Sequence, residues 1–194
     1  MLSLESARSQ SVAGLGFLRI LMVALLALIT CSAVTWPQQK TALDRDPWQF
    51  LQGKWVGEGS SELGEGSGYF SFERDLQNKA WVRRNHSEYP ATKDRPKYVH
   101  DDLMIVYFDP GAHQTRAFYC DTEQHIIYYT ATVSTDGRTL TFLGDRQEGA
   151  PRFRLTYVRG EPGYMTVTLE MAQASKPENF ERIVEGKVRK VPSP

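Results

Sequence analysis

The feature that most limits the fold of this chain is a succession of short runs rich in Val, Thr, Tyr and Phe, each followed by turn residues. No long segment after Gly53 has the i, i+3, i+4, i+7 apolar spacing of an amphipathic helix. Connections such as Asp109-Pro110-Gly111 have the length and residue types of hairpin turns. The pattern predicts strands at roughly 54–61, 68–77, 80–89, 99–108, 114–121, 124–133, 139–145, 152–159, 163–172 and 180–189.

Hairpin connections indicate an antiparallel sheet, because parallel strands need crossover connections between them. A meander of about ten strands tends to close on itself, since closure removes its exposed edges. Met165, Val167 and Leu169 alternate with polar residues, which is typical of a strand with one buried face. The sequence therefore predicts an all-β fold: a single antiparallel up-and-down β-barrel, preceded by a short helical turn that begins near Pro47.

The N-terminal region has the organisation of a secretory signal. Arg8 and Arg19 precede an uninterrupted apolar run at 20–29, and small residues follow it. The run is shorter than the roughly 20 apolar residues of a membrane-spanning helix, although an uncleaved anchor is an alternative. Cleavage after Ala33 fits the small residues that follow the apolar run. Cys31 offers a second alternative, because Leu-Ile-Thr-Cys resembles a lipobox and would leave this cysteine lipidated.

The predicted organisation is a signal peptide at 1–33, a linker at 34–46, a barrel domain at 47–190 and a C-terminal tail at 191–194. Such a chain is exported, to the periplasm or the extracellular space, with tethering through Cys31 as the alternative. Membrane contact is expected only through the signal segment or a lipid anchor.

Charge and cysteine content exclude several function classes. The chain has 23 basic and 23 acidic residues and no basic block, which argues against nucleic acid as a partner. Cys120 is the only cysteine besides Cys31, so the domain after the signal can form neither an internal disulfide nor a thiolate zinc site. The oligomeric state is not indicated.

The first strand carries a motif, Gly-x-Trp-x-Gly-x-Gly, formed by Gly53, Trp55, Gly57 and Gly59. It resembles the opening of lipocalin-like and nitrobindin-like barrels of the calycin type, and of related bacterial exported domains of unknown function. The resemblance implies that the tryptophan closes one end of the barrel while glycines allow the strand to bend. It also implies a basic side chain from the last strand over the tryptophan. The candidates are Arg182, Lys187 and Arg189.

Nitrobindin-like barrels bind haem through a histidine late in the chain. Here the histidines are His86, His100, His113 and His125, and none follows position 125. The resemblance therefore does not extend to haem, and no cofactor is expected.

Polar residues concentrate near one end of the predicted barrel. Alternation places Arg84, His86 and Glu88 on one face of their strand, and Arg83, Asn85, Ser87 and Tyr89 on the other. If the first set points inward, a cation, an imidazole and a carboxylate meet at the barrel mouth. The alternative is an exposed outer face with ordinary ion pairs. The predicted ligand-binding residues are Arg84, His86, Tyr89, His100, His125 and Tyr129.

No spacing typical of a metal site or an activated nucleophile occurs in the chain. There is no His-x-His, His-Glu-x-x-His or Gly-x-Ser-x-Gly. No metal site is therefore predicted.

The favoured function is a binding protein that holds a small, partly apolar ligand with an acidic or carbonyl group inside the barrel. One alternative is an enzyme in which His86 or His125, tuned by Asp101 or Glu88, acts as a general acid–base. It requires at least two of His86, His100 and His125 to face the interior beside a carboxylate or each other. A solidly packed structural or assembly protein is the third possibility.

Overall fold

The computed structural model describes residues 46–58, 66–94 and 96–192. Within them the chain forms ten antiparallel strands that close into one barrel, which confirms the predicted fold class. Each strand pairs with its neighbours in chain order, and the first pairs with the last. The strands are β1 Gly53–Glu58, β2 Ser67–Asp75, β3 Ala80–Tyr89, β4 Tyr98–Asp109, β5 Gln114–Asp121, β6 Ile126–Val133, β7 Thr139–Gly144, β8 Arg152–Arg159, β9 Tyr164–Ala172 and β10 Phe180–Lys190.

Several predictions concern residues outside those described. They are the signal peptide 1–33 with Cys31, residues 34–45 of the linker, the motif residue Gly59, and the last two residues of the tail. The predicted short helical turn before the barrel is a 3₁₀ segment, Asp46–Leu51. Among the described residues, no helix combines the length and the apolarity that a membrane span requires.

Two of the predicted hairpin turns contain a glycine with a positive φ. Gly137 has a φ of 68° and Gly163 a φ of 82°, a backbone region that residues with a Cβ rarely adopt. In the first turn the Gly137 amide donates to the carbonyl of Ser134 at 2.9 Å. Turn geometry also shortens one predicted strand: Gln124, at a φ of 68°, belongs to the turn before β6.

One end of the barrel is filled by apolar side chains. Trp55 is 2% exposed, stacks against Phe70 with ring centroids 6.5 Å apart, and donates its indole N–H to the carbonyl of Leu51 at 2.8 Å. The 3₁₀ segment therefore packs directly on the tryptophan of β1. We call this the closed end. It also contains Trp48, Phe72, Trp81, Val106, Leu140 and Phe142.

The basic residue over Trp55 is Lys190, whose Nζ lies 5.6 Å from the centre of the indole ring. The prediction of Arg182, Lys187 or Arg189 was wrong. Arg189 pairs instead with Glu58, and Lys187 lies over another ring, that of Tyr164. The register explains the choice, because Lys190 is the residue of β10 that pairs with Trp55.

Candidate functional site

A cavity of about 550 Å³ occupies the half of the barrel away from the closed end. Its rim, which we call the mouth, is where β3 ends and β4 begins, and the turn between β5 and β6 lies beside it. The fully buried layer below the cavity includes Phe72, Phe142 and Tyr157. The interior is therefore not solidly packed, contrary to what a purely structural barrel would require.

The cavity has two chemically different walls. The polar wall comes from β3, β4, β5 and the turn after β5, and contains three carboxylates and two histidines. The apolar wall comes from β6 and β8 to β10, and includes Ile127, Phe153, Leu155, Val167 and Leu169. A molecule that fills this space meets hydrogen-bonding groups on one side and hydrocarbon on the other.

Strand parity decides which side chains of β3 reach the cavity. Trp81 is buried inside the barrel, so Arg83, Asn85, Ser87 and Tyr89 face the same way and line the cavity. β4 pairs with β3 so that His100 lies opposite Ser87. Tyr89 and Tyr98 pair at the mouth, and their rings stack at 6.0 Å.

Arg84 and His86 lie on the outer face of β3, so the inward orientation considered for them is corrected. His86 stacks against Tyr69, and its Nδ1 lies 2.7 Å from Asp101 and its Nε2 3.3 Å from Glu88. These ion pairs are exposed, as the alternative interpretation of this strand expected. The hydrogen bond to Asp101 raises the pKa of His86. Asp101, with half of its side chain exposed, is also outside the cavity.

The polar wall is a continuous chain of hydrogen bonds from the cavity floor to the mouth. Arg83 Nη1 pairs with Asp102 Oδ1, and the other oxygen of Asp102 lies 3.3 Å from Nε2 of His100. Nδ1 of His100 lies 2.7 Å from Glu123, which also accepts a short bond from the Tyr98 hydroxyl. Both ring nitrogens of His100 thus contact carboxylates, an arrangement that favours the protonated imidazolium.

The ionisation of this chain follows from its contacts. The hydrogen bond to Asp102 raises the pKa of His100, and the bond to Glu123 adds to the effect. Burial alone would raise the pKa of Glu123, but hydrogen bonds from Tyr98 and His100 lower it. The hydrogen bond to Glu123 raises the pKa of Tyr98 to about 12. At neutral pH the tyrosine is therefore a donor and the glutamate a charged acceptor.

Asp121 connects the turn after β5 to this wall. Its Oδ1 accepts the backbone N–H groups of Glu123 and His125, and its Oδ2 lies 3.1 Å from the Tyr119 hydroxyl and 2.8 Å from His125 Nδ1. Burial would raise the pKa of Asp121, but these bonds lower it, led by the His125 amide. His125 itself is 58% exposed at the mouth.

The side chains of His100, Asp121 and Glu123 form the one metal-compatible group within the described ranges, with one donor atom from each inside 4.8 Å of the others. His–carboxylate sets of this kind suit divalent cations. However, four hydrogen bonds already occupy the carboxylate of Asp121. A metal would have to displace at least one of them, so the geometry does not favour a metal site.

Arg83 is the buried charge of the cavity floor. Its side chain is 8% exposed, and its guanidinium lies 5.3 Å from the centre of the Phe70 ring. Burial would lower the pKa of Arg83, but the nearby Tyr157 and Asp102 raise it, so the cation persists. Its Nε is buried without a hydrogen-bond partner among the described residues.

The cavity brings together four of the predicted ligand-binding residues, Tyr89, His100, His125 and Tyr129. The sequence analysis did not single out Arg83, Asp102, Asp121 or Glu123 as site residues. Asp121, at the end of β5, and Glu123, in the turn after it, resembled ordinary turn residues, and only the closure of the barrel places them beside His100. No signal within β3 singled out Arg83, because Trp81 and Val82 are both apolar and the residues after them are polar on both faces.

Neither a protein-family model nor a curated protein matches this chain at a significant level.

Proposed function

We propose that this protein binds one small amphipathic molecule inside its barrel. The observation that carries the proposal is the cavity of about 550 Å³ with a hydrogen-bonding wall opposite an apolar wall. Small-molecule sites typically measure roughly 300–1,000 Å³ and combine mostly apolar lining with a few oriented polar groups. A ten-strand closed barrel is compatible with a calycin-type fold, and kinship with lipocalin-like or nitrobindin-like proteins is part of the proposal.

N-phenyl-1-naphthylamine, a neutral dye that fluoresces in apolar sites, is a suitable first probe. We expect saturable fluorescence with wild-type protein. Leu169→Trp should abolish it by placing an indole ring where the dye would lie, whereas Thr168→Trp, on the opposite face of the same strand, should not. Equal binding by both variants, or no binding by the wild type together with no small molecule extracted from natively purified protein, would refute the proposal.

Export is a second part of the proposal and rests on the sequence at 1–33. We expect the full chain, expressed in a bacterium, to lose its first 33 residues, which intact-mass measurement would detect. A mature chain that begins with a lipid-modified Cys31 would instead support the tethered alternative. Retention of residues 1–33 in the cytoplasmic fraction would contradict export.

We also propose that the protein binds no haem, since the late histidine of nitrobindin-like barrels is missing from the sequence. Purified protein should show no Soret absorption after incubation with haemin and removal of the excess. A stoichiometric Soret band that His125→Gln removes would contradict this.

An enzyme is the second candidate, and one observation favours it. His100 and His125 both line the cavity and each contacts a carboxylate, which meets the geometric requirement for a histidine acid–base. His86 has no part in this version because it lies outside. Chromogenic p-nitrophenyl esters of short-chain acids are practical probes. Turnover that Leu169→Trp and His125→Gln both abolish would support an enzyme; turnover unchanged in these variants would not.

A further inference from the structure

We propose that the cavity binds its ligand in one orientation, with an acceptor oxygen, of an oxyanion or a carbonyl group, held at Arg83 on the floor. The apolar body of the ligand then lies along β8 to β10. This inference rests on the proposed binding function and adds the chemical class of the ligand and its direction.

The guanidinium of Arg83 has unused donors at a cavity wall. An arginine side chain offers five N–H donors. Asp102 accepts a hydrogen bond from Nη1 of this guanidinium. Nε has no partner, although the group is more than nine-tenths buried. Leaving buried charged donors unsatisfied is costly, and Arg83 lines the cavity, so a ligand oxygen beside the part of the guanidinium that faces the cavity would add an acceptor to the group.

The neighbours of Arg83 are also donors. The Tyr157 hydroxyl lies close to the guanidinium but forms no hydrogen bond of normal geometry within the described part of the chain. Tyr129 lines the cavity beside it, and burial raises the pKa of Tyr129, so its hydroxyl stays protonated. The floor therefore offers donors rather than acceptors to an incoming group, apart from Asp102.

Asp102 does not cancel this preference, because two cationic groups share its carboxylate. Arg83 binds one oxygen and His100 approaches the other at 3.3 Å. The remaining carboxylates of the polar wall, Asp121 and Glu123, lie toward the mouth and have their own partners, His125 and Tyr98. The acceptor-binding end of the cavity is thus the deep one.

The apolar wall fixes where the rest of the ligand lies. Leu155, Val167 and Leu169 extend from the floor toward the mouth on the side opposite the polar chain. Their hydrocarbon surface stabilises rings or alkyl chains by excluding water. An acceptor oxygen at the bottom and an apolar body above it satisfy both walls at once.

A matched pair of dyes tests this orientation. 1-Anilinonaphthalene-8-sulfonate has the same ring system as N-phenyl-1-naphthylamine, plus a sulfonate. We expect wild-type protein to bind the sulfonate dye about tenfold or more tightly than the neutral dye, because a buried charged hydrogen bond distinguishes them. Leu169→Trp should abolish binding of both dyes, which locates them in the cavity.

The key variant is Arg83→Met combined with Asp102→Asn, since the double change leaves no buried charge unpaired. It should bind the neutral dye normally and lose the preference for the sulfonate dye. Arg84→Met, next in sequence but on the outer face, should keep that preference.

The outcomes separate the two proposals. If the wild type binds both dyes equally well, or if the double variant keeps the preference, the inference about Arg83 is wrong while the cavity remains a binding site. If neither dye binds, the inference about Arg83 fails, and the proposed function fails with it when natively purified protein also yields no small molecule on extraction. If the double variant does not fold, the affinities of the wild type for the two dyes test the inference on their own.

Discussion

Arg83 on β3 and Asp102 on β4 form an ion pair inside the barrel, with side chains only 8% and 4% exposed. They are diagonal neighbours, because Asp102 pairs in register with Asn85. Removing two charges from water is expensive, and the mutual attraction offsets that cost only while both partners are present. The pair therefore holds the floor of the cavity in one arrangement. Removing either residue leaves the other as a buried charge without its counter-charge.

We expect Asp102→Asn alone to lower the free energy of unfolding by about 3–5 kcal/mol, because Arg83 would remain buried without its counter-charge. Adding Arg83→Met should recover part of the loss, giving a non-additive double-mutant cycle in urea unfolding. The exposed pair Arg189–Glu58 is the control, and Arg189→Met should cost less than about 1 kcal/mol. Additive effects of the two buried substitutions would contradict this.

His100 should make stability depend on pH. Hydrogen bonds to Asp102 and Glu123 raise its folded-state pKa above the ordinary value of 6.5. The protonated ring therefore stabilises the fold fully below that value, and the contribution is lost as pH rises through the folded-state pKa. We expect the free energy of unfolding to fall more steeply above pH 6.5 in the wild type than in His100→Gln.

His86 also has a raised pKa, but it is present in both proteins, so the difference between them isolates His100. Parallel pH profiles for the two proteins would show that His100 has the same proton affinity folded and unfolded. That result would remove the polar chain as a source of pH dependence.

Trp55 should stabilise the closed end through both packing and its indole N–H. Trp55→Phe removes the hydrogen bond to Leu51 and leaves that carbonyl unpaired in a buried site, at a cost of about 1–3 kcal/mol. Trp55→Ala should cost roughly 3–5 kcal/mol, since it also opens a cavity. Thermal or urea unfolding measures both, and a Trp55→Phe protein as stable as the wild type would deny the hydrogen bond any role.

The architecture was predictable because its signals are local. The Asp-Gly turn at 136–137 requires a left-handed backbone, and the alternation along Met165, Val167 and Leu169 requires one buried face. These features do not depend on distant contacts, so strand positions followed within a few residues. The polar wall could not be predicted in this way, since its residues come from three strands and a turn.

The direction of β3 could not be read from its sequence. Trp81 and Val82 are both apolar, and the residues after them are polar on both faces, so neither parity was preferred. Arg83 faces inward although charged residues are mostly exposed, because Asp102 from the next strand compensates its burial. Such compensation depends on strand register, which a single sequence does not reveal. Because side chains alternate along a strand, His86, three residues after Arg83, faces outward.

Two glycines that line the cavity should respond oppositely to substitution. A Cβ on Gly68 would lie 2.5 Å from the backbone carbonyl oxygen of His86, an atom that cannot move without disturbing the β2–β3 pairing. A Cβ on Gly57 would meet nothing within 4 Å, and its backbone is not left-handed. We expect Gly68→Ala to lower the free energy of unfolding by about 1–3 kcal/mol.

Gly57→Ala should be neutral, or stabilising by up to about 1 kcal/mol, because alanine loses less conformational freedom than glycine on folding. The comparison of these two variants distinguishes two reasons for a glycine in this barrel. At Gly68 the neighbouring strand forbids a side chain, whereas at Gly57 the motif residue has free space and no steric need for glycine. Urea unfolding of both variants measures the difference, and a Gly57→Ala protein as unstable as Gly68→Ala would show that the first strand needs its glycine for a reason other than space.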